Sequence, residues 1–98
     1  CSSDLLQQSY VADNILEELS AATTKLTETE QQVKTAQENM ALAEENLDLV
    51  TFSYNEGRAS MVDVLSAQLS WTQAQTNLIN AHLAAKMAVA EYRKAISE

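Results

Sequence analysis

Gly57 is the only glycine in this 98-residue chain, and there is no proline. Glycine reaches positive φ at little cost, and helices commonly end on such a residue. A chain with one glycine therefore has one obvious corner, and a fold rich in β-turns is excluded. Helical periodicity runs into this point as far as Tyr54-Asn55-Glu56 and starts again beyond it. Gly57 reads as the residue just past a helix end. Ser60 reads as the next N-cap, with Asp63 three residues on as the acidic half of a capping box. Ala59 and Val64 stand where a small hydrophobic staple forms. The expected fold is all-α, a single long antiparallel two-helix coiled-coil hairpin over residues 1–98. Its helices run from about 4 to 56 and from about 61 to 97, with the corner at 57–60. Ser2, Ser3 and Asp4 supply cap chemistry for the first helix.

The first helix carries apolar residues at alternating steps of three and four. The series is Leu5, Gln8, Ala12, Ile15, Leu19, Ala22, Leu26, Thr29, Val33, Ala36, Met40, Ala43, Leu47, Val50 and Tyr54, with only Gln8 and Thr29 polar. A sustained heptad stripe of this kind marks a helix packed along one line against another. The stripe is graded. Leu19, Leu26, Val33, Met40, Leu47 and Tyr54 form a column of large residues, whereas Ala22, Thr29, Ala36, Ala43 and Val50 form a small one. A small column lets a neighbouring helix approach closely. The acidic remainder reads as a solvated face, because one straight helix face does not converge the several oxygens a hard cation needs.

After the corner a second seam follows: Val64, Ala67, Trp71, Ala74, Leu78, Ala81, Ala85, Ala88, Tyr92 and Ala95. Alanine recurs every seventh residue at 67, 74, 81, 88 and 95, the partner expected for the small column in an antiparallel pair. A second apolar stripe runs through Val62, Leu65, Leu69, Ile79, Leu83 and Ala90, interrupted by Thr72 and Thr76. One seam serves one neighbour, so two seams on one helix call for neighbours on both sides. The second helix is also the shorter, which leaves the stretch from Leu5 to Ile15 without a partner inside the chain.

Apolar residues make up 46% of the sequence, but much of that is alanine, which buries little surface. Two such helices have a thin core, so self-association or membership of a larger assembly is expected. The formal net charge is −8. Residues 1–56 hold eleven acids against Lys25 and Lys34, whereas residues 57–98 hold three acids against Arg58, Lys86, Arg93 and Lys94. An acidic chain with no basic patch is a poor ligand for nucleic acid. No run approaches the roughly 18 apolar residues of a membrane-crossing helix. Cys1, the only cysteine, reads as a free thiol at a fragment end or as the lipidated first residue of a lipoprotein. His82 is the lone histidine, with no ligand-spaced neighbour, so no metal or cofactor is expected. There is no phosphate-cradling loop, nucleophile elbow or zinc spacing, and the chain does not read as an enzyme.

The corner carries a more specific string. Tyr54-x-x-Gly57-x-x-Ser60-x-x-Asp63-Val64-Leu65-x-Ala67-Gln68 is continued by Ala74-Gln75-x-x-Leu78-x-x-Ala81. It resembles the outer membrane efflux protein family, the TolC-like channel-tunnels, over roughly Val33 to Ala95, and earlier residues by periodicity. In that family three protomers form an outer-membrane β-barrel continued by an α-helical tunnel through the periplasm. The resemblance implies one hairpin of that trimeric α-barrel tunnel, from the second repeat, cut out of a longer protein. It places the corner at the periplasmic aperture, where a periplasmic adaptor (membrane fusion) protein of a tripartite pump docks. By the same resemblance Tyr54 and Asp63 belong to the aperture, and Gly57, Arg58 and Ser60 to the tip that meets the adaptor. Some members carry a second acid where Ser66 stands and a cation where Ala59 stands, two departures of this chain. No strand-like alternation occurs, so this polypeptide does not itself build a membrane barrel. The alternative reading is a structural coiled-coil hairpin, used as a spacer or as the helical arm of a periplasmic adaptor.

Overall fold

The structure, a computed structural model, describes the backbone of residues 2–97 and side-chain surroundings from residue 11 onward. Cys1, the cap chemistry of Ser2, Ser3 and Asp4, and the stripe residues Leu5 and Gln8 lie outside the described side chains. The described residues form two helices and no strand: α1, Ser2–Asn55, and α2, Met61–Ser97. They lie antiparallel as a hairpin 83 Å long, the length that the 54 residues of α1 dictate at about 1.5 Å per residue. Helix α1 begins two residues before the expected start and ends one residue short of the expected end, within the usual latitude of helix termini.

The heptad stripes bury as their spacing requires. From Leu19 to Val50 every stripe residue of α1 is buried or half-buried, and so is every seam residue of α2 from Val64 to Ala95. Open grooves place Ala22 beside Ala95 at one end and Val50 beside Ala67 at the other. The seven-residue step between these layers sets Thr29 level with Ala88, Ala36 with Ala81 and Ala43 with Ala74. Small faces small at every layer, and Thr29 and Ala88 are 1% and 2% exposed respectively. The Thr29 hydroxyl, buried in the layer it shares with Ala88, donates to the carbonyls of Lys25 and Leu26 at 2.9 and 3.0 Å. Its polarity is satisfied within its own helix, so it packs as a small apolar residue would.

Two features of the seam follow from where the pair ends. Ala12 and Ile15 are exposed, because α2 stops level with the turn of α1 that follows them. Tyr54 continues the large column by spacing, yet it is 43% exposed while Ser53 is half-buried. Val64 is the first buried residue of α2, and no further layer lies beyond it to cover the Tyr54 ring.

Candidate functional site

The corner is assembled from two interlocking caps. Gly57 has φ +76°, the only positive value in the described backbone. With Gly57 in this conformation, its N–H donates to the Tyr54 carbonyl at 3.0 Å, and the Arg58 N–H donates to the Ser53 carbonyl at 2.8 Å. This pair of bonds is the Schellman motif, which satisfies carbonyls the last helical turn leaves without partners. A Cβ on Gly57 would meet nothing within 4 Å, so the requirement for glycine lies in the backbone and not in crowding.

Three residues further on, the second cap closes. The Ser60 N–H donates to Asp63 Oδ2 at 3.0 Å, and the Asp63 N–H donates to Ser60 Oγ at 3.2 Å. The Ser60 carbonyl accepts the first bond of α2 from Val64 N–H at 3.3 Å. This is the reciprocal capping box the spacing predicts. Ala59 is half-buried and Val64 buried, as a staple across the cap requires. Hydrogen bonding by Ser60 to the carboxylate, from its backbone N–H first and its side chain second, holds the Asp63 carboxyl below its ordinary value of 3.8. Asp63 thus stays an exposed anion at the tip, and it also sits where an acid complements the positive end of α2.

The five residues of interest share one end of the rod but not one surface. Arg58 and Asp63 line a single shallow groove with Asn46, Leu49, Ser53 and Ser66. Gly57 and Ser60 set the backbone of the corner. Tyr54 stands outside that groove. Among the described residues no group of three or more His, Cys, Asp or Glu side chains could hold a metal ion. No described helix is long and apolar enough to cross a membrane.

The larger surface feature lies on the outer edges. Val62, Leu65, Leu69, Ile79 and Leu83 of α2 are 70, 53, 72, 61 and 57% exposed. Each stands two residues before a seam residue, and two residues turn a helix by about 200°, so the row lies opposite the seam. Helix α1 has a matching row that its heptad stripe does not reveal. Leu42, Leu49 and Phe52 are 63, 64 and 62% exposed, each two residues after a seam residue. The signal was the seven-residue step from Leu42 to Leu49, masked by Glu45 between them. In all, the chain exposes 7506 Å², against roughly 5500 Å² for a compact monomer of its mass.

No family model matches the chain, and no curated protein or solved structure matches it either. What the molecule itself defines is an α-helical hairpin with a capped tip and two apolar outer edges.

Proposed function

We propose that this hairpin is a periplasmic tunnel segment of an outer membrane efflux channel, with its corner at the aperture end and docked by a periplasmic adaptor protein. The observation that carries the reading is the corner itself. The string Tyr54-x-x-Gly57-x-x-Ser60-x-x-Asp63 coincides with a Schellman turn fused to a capping box, at the far end of a rod 83 Å long. A tip locked by two caps presents a fixed shape to a partner, because ordering it costs nothing further on binding. In this role the chain performs no chemistry. Arg58, Gly57 and Ser60 form the contact tip, while Tyr54 and the Asp63 carboxylate line the aperture. Exposed apolar rows on both edges suit a stave that sits beside further hairpins in a homotrimeric tunnel.

Gly57→Val in the full-length channel tests the reading. Valine at φ +76° strains the corner by about 1–2 kcal/mol and disturbs both caps. Dye efflux and adaptor co-purification are expected to fall together, with Gly57→Asn retaining most of both, since asparagine tolerates this conformation. Full efflux and normal adaptor binding by the valine variant would remove the tip from the function.

A further inference from the structure

The two flat faces of the hairpin differ in charge. On the side of the small column, the positions next to the seam are Gln32, Asn39, Asn46 and Ser53 on α1 and Ser70 and Asn77 on α2. Val50 lies beside Ala67, so Asn46 stands within one residue of the level of Ser70, and Asn39 of that of Asn77. From Gln32 to Ser53 these columns hold no charged residue, a span of about 30 Å. Beyond that span the charges cancel. The groove at the far end is lined by Glu18, Lys25, Glu91 and Lys94, and the groove at the tip by Arg58 and Asp63. Three acids thus meet three bases on this face, in a chain whose net charge is −8.

The opposite face, beside the large column, is not balanced. Glu44 and Asp48 stand there, level with the amide span. No lysine or arginine occurs between Lys34 and Arg58, or between Arg58 and Lys86, to offset them. That face is also the broader. Met40 and Leu47 of α1 and Trp71 and Leu78 of α2 lie toward it, whereas Ala43 and Ala74 lie toward the amides. The hairpin therefore narrows toward its amide side, as a stave of a closed tube narrows toward the bore.

We propose that the amide face is the wall a passing solute meets in the tunnel, and that this wall admits solutes of either charge sign. The proposal rests on the tunnel reading and adds which face is turned to the bore and what it lets through. Side-chain amides and hydroxyls both donate and accept hydrogen bonds, so they hold water and favour neither cation nor anion. Charged walls act differently, since a ring of acids concentrates cations and a ring of bases concentrates anions. The acidic excess of this chain is kept away from the bore.

The test uses the full-length channel in a planar lipid bilayer under a potassium chloride gradient. Its reversal potential gives the ratio of cation to anion permeability. Asn39→Asp/Asn77→Asp should raise that ratio by about threefold or more, and Asn39→Lys/Asn77→Lys should lower it by a similar factor. Opposite shifts from the same two positions do not arise from a folding defect. Glu44→Gln/Asp48→Asn removes two acids from the other face and should leave the ratio where it was. Equal ratios in the two Asn39/Asn77 variants would overturn the proposal, as would a fall in the ratio with Glu44→Gln/Asp48→Asn. Either result, in a channel that conducts, refutes the face assignment alone. A full-length protein that carries no current would refute the tunnel reading and this proposal together.

Discussion

The inner seam and the outer rows of this hairpin reverse the usual order of burial. The buried residues are small: Ala22, Ala36, Ala67, Ala74 and Ala88, with Thr29 and Val64 the exceptions in size. The large seam residues, Leu19, Leu26, Leu47 and Leu78 among them, are only half-buried, and further large residues stand outside, at Leu42, Leu49, Phe52, Leu65, Leu69, Ile79 and Leu83. Apolar burial stabilises by about 25 cal/mol per Å², so a chain acting alone would put its large residues on the inside. Here the seam is built from small residues, and much of the apolar area worth burying stands exposed on the outer rows. The difference separates two jobs. The alanine layers set how tightly the hairpin closes, whereas on the proposed reading the leucine rows set what it stands beside.

The widest expected gap between the two regions comes from exchanging their residue sizes. Ala88→Leu forces a large side chain into the layer opposite Thr29, where 2% of Ala88 is exposed. Overpacking of this kind costs about 1–3 kcal/mol, read as a lower midpoint in thermal or urea melts. The reciprocal change, Leu83→Ala on the outer row, should move stability by no more than about 0.5 kcal/mol. Both belong in the Leu65→Glu/Leu69→Glu background, whose outer row on α2 is polar, so that any association through that row does not enter the comparison. Equal losses at the two sites would erase the distinction between seam and edge.

A smaller effect is expected at the corner, where neither packing nor area is at stake. Ser60→Ala removes the hydroxyl that accepts from Asp63 N–H and should cost about 1 kcal/mol. The acidic half of the box has a pH signature. Folding lowers the Asp63 pKa, so its contribution is present above the ordinary value of 3.8 and is lost as pH falls through the lower folded value. The difference in melting temperature between wild type and Asp63→Ala should therefore be constant at neutral pH and close in acid. A difference that persists unchanged at the acid limit would mean that Asp63 does not act through its charge.

Much of this architecture is legible in the residues, for identifiable reasons. A lone glycine leaves one place to turn, and Ser60 with Asp63 at capping-box spacing fixes where α2 begins. An unbroken 3–4 alternation defines each seam, and alanine at every seventh position defines the close side. Periodicity alone does not mark where a pair stops, which is why Tyr54 reads as a seam residue and yet lies exposed. Nor does it set which layer of α1 faces which layer of α2; the five residues between Asn55 and Met61 set that register. The outer row of α1 is hidden by the glutamates spaced along it. Of the candidate site, the cap roles of Gly57, Ser60 and Asp63 follow from local geometry. The aperture roles of Tyr54 and Asp63 rest on the family resemblance, since an aperture is a property of several chains together.

The most direct test of the division between seam and edge is thermal melting of the wild-type chain over a range of concentrations. A hairpin whose large apolar rows are reserved for other copies gains stability as they are covered, and its midpoint should rise steadily with concentration. The Leu65→Glu/Leu69→Glu chain, with its outer row made polar, should melt at one temperature throughout. A wild-type midpoint independent of concentration, with full helicity at the lowest, would contradict the account.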